Sequence, residues 1–245
     1  MIQTRKEDGI CTIELNRPEK KNALTAAMYQ ALADALHDAG QDEKISVILL
    51  AGTEDAFTAG NDLQDFIDHP PVYPHSPVFY FMQQLSHAAK PVVAAVCGPA
   101  IGIGTTMLLH CDLVYAAADA RFGMPFTQLG LCPEFASTLL VPRIAGYRRA
   151  AEKLLLGDVF DAQEAREMGL INKILPAEHV LHYAHAQAAR LASMPAPSLR
   201  LTKGLMKEAD RAAINDRIAE ESKYFSEMLN APAARQAILR FLQKK

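Results

Sequence analysis

Glycines at two turns, one glutamate beside a proline, and scattered histidines and cysteines are the residues of this chain that could carry chemistry. Residues 92–112, VVAAVCGPAIGIGTTMLLHCD, read as strand, turn and helix. The apolar run Val92–Val96 suits a strand buried on both faces. Gly98 and Pro99 stop it, and Gly102 and Gly104 let the chain turn sharply into a helix through Thr105, Met107 and Leu109. The unpaired N–H groups at such a helix start suit an anionic oxygen; tight packing of a helix on a sheet would use the same glycines. The order Gly98, Gly102, Gly104, Met107 does not meet G-x-G-x-x-G, and no G-x-x-x-x-G-K-[ST] occurs, so nucleotide-binding loops are set aside.

A second glycine-bearing turn, residues 57–62, follows a second apolar run at residues 47–50. Glu134 lies in LCPEFAST, residues 131–138. A glutamate directly after Pro133 is what a helix start favours through its dipole, and it is equally a candidate base. His179, His182 and His185 do not converge on a metal, because helical positions six apart lie about 240° apart around the axis. Cys11, Cys97, Cys111 and Cys132 form no C-x-x-C pair and follow no signal-peptide pattern, which favours free thiols over metal ligands or disulfides.

The elements that must position these residues follow from pattern. Residues 2–5 and 10–15 alternate as a hairpin. Thr25 caps a helix whose apolar positions, Met28, Leu32, Leu36 and Ala39 among them, recur at helical spacing up to Gly40. HPPVYPHSP, residues 69–77, is a loop by its four prolines and precedes a helix over 78–89. Short strands are expected at 113–116 and 121–123, a helix over 133–144 with Pro133 in its first turn, helices over 148–156 and from Asp161 to Gly169, and a strand over 170–175. From residue 177 onward the pattern is helical, interrupted at Pro195, Pro197 and Pro232.

At 245 residues the chain is long enough to bury a large α/β core. Half of it is hydrophobic and 22% charged, which excludes a disordered or membrane-embedded class. A net charge of −3 gives no basic excess for nucleic acid, and no apolar run approaches the ~20 residues of a membrane span. A cytoplasmic protein is expected.

Three separated motifs, NRPEKKNALT at residues 16–25, AFTAGNDL at 56–63 and residues 97–112, resemble those of the crotonase (enoyl-CoA hydratase/isomerase) superfamily. The resemblance covers most of residues 1–180; the later helices resemble the family in character only. It implies an α/β spiral of ββα units over residues 1–195 and a helical trimerisation region over 196–245 that helps close the acyl pocket. It implies an acyl-CoA thioester as substrate, a homotrimer or hexamer, and no cofactor apart from the coenzyme A of the substrate. It also implies an oxyanion hole made by the backbone N–H groups of Asn61 and Ile103, and a glycine on each side of Ile103 lets backbone face the thioester oxygen. By the same resemblance Arg17, Lys20, Lys21, Ala23 and Leu24, with Ala59, Gly60, Asp62, Leu63, Gly102 and Phe126, line the coenzyme path, a lysine lying near phosphate.

Hydratases of this family carry glutamates at the positions held here by Thr106 and Phe126, and neither residue replaces a carboxylate. LCPEFAST instead resembles the segment of the Δ3-Δ2-enoyl-CoA isomerases whose glutamate is the sole base, which implies that role for Glu134. Other crotonase reactions, hydration or thioester hydrolysis, would need a second polar group, for which Thr106, Ser137 and Thr138 are candidates. A non-catalytic acyl-CoA-binding protein would keep the loops without needing Glu134. The apolar faces after residue 198, among them Leu201, Leu205, Met206, Tyr224, Phe225, Leu229, Ile238, Leu239, Phe241 and Leu242, are expected to pack on neighbouring subunits.

Overall fold

The computed structural model describes residues 1–243, the side chain of Phe241 excepted. Strands β1 (Ile2–Glu7) and β2 (Ile10–Leu15) form the expected antiparallel hairpin. The exposed edge strand β1 carries Arg5, Lys6 and Glu7, charges that discourage further pairing. Helix α1 (Ala26–Gln41) begins at Thr25, whose hydroxyl accepts the Met28 N–H. Strand β3 (Val47–Ala51) is buried throughout. Helix α2 (Leu63–Asp68) was not expected; Asp62 caps it by accepting the Gln64 and Asp65 N–H groups. Helix α3 (Pro77–Ser86) starts one residue earlier than expected because Pro77 occupies its first position.

Strand β4 (Val92–Val96) is wholly buried, as its apolar run requires. Gly98 and Pro99 do not end extended structure there: they redirect it into strand β5 (Pro99–Ile101), after which come the single turn α4 (Ile103–Thr106) and a 3-10 turn, Met107–His110. Gly98 has φ +60°, and a Cβ on it would lie 2.1 Å from the Asp55 carbonyl oxygen, so only glycine fits. Strands β6 (Leu113–Ala117) and β7 (Arg121–Gly123) follow as expected.

Helix α5 (Ser137–Ala145) corrects the expectation of a helix from Pro133: Phe135 and Ala136 stand in the left-handed region, at φ +61° and +58°, and break the chain just before it. Next are α6 (Tyr147–Ala151), continued by a π turn to Leu156, β8 (Phe160–Asp161), α7 (Ala162–Glu167), and β9 (Lys173–Leu175), shorter than expected. Helices α8 (Ala177–Ala192), α9 (Ala196–Glu208), α10 (Arg211–Leu229) and α11 (Pro232–Gln243) complete the described chain. The break between α9 and α10 has no proline to announce it.

Among the described residues the main sheet runs β1-β2-β3-β4-β6-β9, parallel after the first pair, and a second sheet runs β5-β7-β8. Twice a strand of the main sheet passes directly into one of the second, β4 to β5 and β6 to β7. That repeat is the ββα spiral. Helix α8 lies across β3, β4 and β6.

The later helices fold back onto their own chain. Buried Lys203 on α9 donates to the Lys90 carbonyl at 2.8 Å and to Asp112 at 2.6 Å. Asp112 also accepts the Val92 N–H, which ties α9 to the start of β4. Phe225, Leu229 and Ile238 are buried within the chain and Leu242 packs against its core, a correction to their expected packing on neighbouring subunits. Leu201, Leu205, Met206, Tyr224 and Leu239 stay exposed. The Phe241 side chain, Lys244 and Lys245 lie outside the described residues.

Candidate active site

Two loops meet at the site because one residue between them has no side chain. Thr58 bridges Ala100 in parallel register, with Thr58 N–H to Pro99 O at 2.9 Å and Ile101 N–H to Thr58 O at 3.0 Å. Past that bridge the two chains stay close, bringing Gly60, next to Asn61, against Ile101 and Gly102, next to Ile103. Gly60, at φ +88°, makes this possible: a Cβ there would lie 2.6 Å from the Ile101 carbonyl oxygen. Ile103 opens α4, so its N–H has no partner within the helix. Neither that N–H nor the Asn61 N–H meets an acceptor among the described residues.

The first motif braces this pair. Leu24 N–H donates to Gly60 O at 2.8 Å and Leu24 O accepts the Asp62 N–H at 2.9 Å. Asn22, left-handed at φ +56° and fully buried, accepts the Arg17 N–H and donates to Ala56 O at 2.7 Å. Arg17 itself bridges Ala23 O and Asp62, 2.8 Å away. Burial would raise the Asp62 carboxyl, but Arg17 and the two capping amides outweigh it and hold it low. Arg17 and Leu24 are therefore scaffold, not lining, which corrects their expected place on the coenzyme path.

A cleft of about 1060 Å³ runs along these loops. Lys20, Lys21, Ala23, Ala59, Gly60, Asn61, Asp62, Leu63, Gly102 and Phe126 line it. Ile103 and Glu134 do not. Phe225 and Arg240, from α10 and α11, do line it and were not foreseen.

Glu134 lines a second, much smaller cavity of about 10 Å³, the room of roughly one water, shared with Asn61, Phe66, Pro71, Val78, Phe79, Met82 and Phe225. Asn61, Phe66 and Phe225 border both spaces. Glu134 is 2% exposed. Its Oε1 accepts the Thr106 hydroxyl at 2.5 Å, while Oε2 is buried without a partner among the described residues. Burial pushes the carboxyl up to about 8, against the Thr106 hydrogen bond, and the nearby Glu221 charge adds to the rise. The helix dipole does not reverse this, because Glu134 precedes the left-handed pair rather than standing in the first turn of α5.

That left-handed pair costs about 1–3 kcal/mol per residue, and packing holds it. His110, buried and kept neutral by burial at a pKa of about 3, donates from Nε2 to Phe135 O at 2.9 Å, and the two rings stack at 3.9 Å. On the far side Ala136 and Thr138 bond Glu221. Tyr29, buried in α1, donates its hydroxyl to Asn61 Oδ1. Of these supports Thr106 had a sequence signal as a polar group at a motif position. Tyr29 lay hidden in the apolar stripe of α1.

Structural likeness defines the class: this is an acyl-CoA enzyme of crotonase fold. A solved Pseudomonas aeruginosa protein, OdaA, matches with a TM-score of 0.96 at 43% identity over 98% of each chain. The chain belongs to the enoyl-CoA hydratase/isomerase family, whose sequence profile matches residues 5–245. The Escherichia coli 1,2-epoxyphenylacetyl-CoA isomerase is 34% identical over all of this chain and 96% of its own. The human enoyl-CoA delta isomerase 2 is 33% identical over 98% of this chain and 62% of its own length. The Escherichia coli 2,3-dehydroadipyl-CoA hydratase is 30% identical over 98% and 94%.

Proposed function

We propose that the protein is a Δ3-Δ2-enoyl-CoA isomerase. The observation that carries this reading is the free Oε2 of Glu134, buried in an apolar cavity whose wall includes Asn61. Glu134 takes a proton from C2 of the 3-enoyl thioester, and the carbonyl oxygen gathers the charge between the Asn61 and Ile103 N–H groups. The protonated Glu134 returns the same proton at C4, leaving the 2-enoyl thioester. One base serves both carbons of a planar dienolate. A carboxyl with a pKa of about 8 suits this: its ionised form is a strong enough base to remove the proton, and its protonated form a strong enough acid to give it back.

The balance needs no metal, redox cofactor or second acid. Lys20 and Lys21, on the rim of the cleft, carry the charge that coenzyme phosphates call for. Relatives named as isomerases support the reading. Relatives named as hydratases favour water addition as the second reading, with Thr106 and Glu134 as its polar groups. Incubation with 3-enoyl-CoA and 2-enoyl-CoA separates the two: a moved double bond supports isomerisation, and a 3-hydroxyacyl product from the 2-enoyl substrate overturns it.

A further inference from the structure

Glu221 has no part in the reaction just written, yet it is buried, and three donors converge on its carboxylate. Oε2 accepts the Ala136 N–H at 2.6 Å; Oε1 accepts the Thr138 N–H at 3.0 Å and the Thr138 hydroxyl. Ala136, the residue that caps α5, offers no capping side chain of its own. A carboxylate from α10 supplies the cap instead, at the helix end whose dipole favours a negative charge.

What makes this more than a cap is the stretch of chain it grips. Ala136 is the second of the two left-handed residues, and Glu134 directly precedes the first. His110 holds Phe135 from the core side by its carbonyl. Glu221 holds Ala136 from the other side by its N–H. Between them the direction in which the chain leaves Glu134 is set, and with it the aim of a carboxylate that has one oxygen on Thr106 and one free. Four residues after Glu221, the same helix places Phe225 against the cavity that Glu134 lines.

We propose that Glu221 is a positioning residue for the base: it fixes the 135–138 turn so that Glu134 faces the reacting carbons, and so makes turnover depend on the docking of α10. The proposal rests on the reading of Glu134 as the base. A displaced base still leaves the cleft and its amides intact, so the effect falls on turnover and spares binding.

The test uses the full chain with Glu221→Ala, Glu221→Gln and Glu134→Gln. Isomerisation of a 3-enoyl-CoA gives kcat, and calorimetry with a saturated acyl-CoA, which cannot react, gives Kd. Glu221→Ala should lower kcat about 10²-fold with Kd within roughly threefold of the parent. Glu221→Gln, which keeps one acceptor oxygen, should lie between the two. Should the alanine variant fail to fold, the near-isosteric glutamine variant decides alone, with an expected loss of about tenfold in kcat at unchanged Kd. A folded variant with the parent kcat, or one in which kcat and acyl-CoA affinity fall together, overturns the proposal. Glu134→Gln separates the causes: if it isomerises at the parent rate, the base reading fails and Glu221 with it. If it is inactive while both Glu221 variants run at the parent rate, only the role of Glu221 fails.

Discussion

Thr106 donates its hydroxyl hydrogen to Glu134 Oε1 across 2.5 Å, from the first turn after the oxyanion loop to the buried carboxylate. The bond stabilises the ionised form, the one that can accept a proton, and it works against burial. Thr106→Val keeps the shape and removes the donor. The Glu134 pKa should rise further, and the acid limb of kcat/KM should move to higher pH. At pH 7 the rate should fall about tenfold, since hydrogen bonds to charged groups contribute roughly 1.5–3 kcal/mol. A pH profile of the two proteins checks this, and an unmoved limb would contradict it.

Glu134→Gln should lose about 10³–10⁴ in kcat, the upper part of the range for a general base, and should keep acyl-CoA affinity. It should also change how stability varies with pH. The folded protein keeps the Glu134 proton up to about pH 8, whereas the unfolded chain releases it near 4.5. Between those values the native state binds more protons, so this group's contribution is full below about 4.5 and is lost as pH rises through 8. Glutamine carries no such loss. Urea midpoints at pH 5 and pH 9 should therefore fall less for the variant than for the parent.

Ile103→Pro removes the N–H at the first position of α4, where proline is well tolerated by a helix. Isomerisation should drop by roughly 10²–10³. Circular dichroism must show a folded protein, because the buried isoleucine side chain is lost as well. Near-parent turnover in a folded variant would remove Ile103 from the oxyanion hole.

Self-association should draw on a surface the sequence did not single out. Ile144, Tyr147, Leu155, Leu156 and Val159, on α5, α6 and the segment after them, are all exposed. Apolar side chains concentrated so closely mark an interaction site. Light scattering at micromolar concentration should report a trimer or hexamer, and Leu155→Glu should shift it towards monomer. A monomeric parent protein would count against the expectation.

What could be read from residues alone was what local pattern controls. The continuous apolar runs of β3 and β4 announced strands buried on both faces, and Thr25 announced α1. The close approach of the two glycine-bearing turns was legible because glycine is needed wherever backbone meets backbone, as at Gly60 and Ile101. Helix α5 was misplaced for a physical reason: Pro133 followed by Glu134 is a sound helix start locally. Bonds from His110 and Glu221 instead stabilise a left-handed pair that neither Phe135 nor Ala136 favours on its own. No short window holds that information. Phe225 was missed likewise, since an apolar residue on a late amphipathic helix looks the same whether it faces this chain or another.

The distance in sequence between Ala136 and Glu221 is 85 residues, and it acquires meaning when the chain is made one residue at a time from its N-terminus. The strands that hold Asn61 and Ile103 emerge long before α10, so they can pair while the catalytic turn still lacks its second clamp and the cavity its Phe225 wall. At a synthesis rate of about 5–20 residues per second, that interval lasts roughly 4–17 s. A nascent chain can thus bring its two glycine-bearing loops together well before the turn after Glu134 is clamped. Any product of translation cut short ahead of α10 would lack Glu221, Phe225 and Arg240, and with them one clamp on the 135–138 turn and part of the cleft wall.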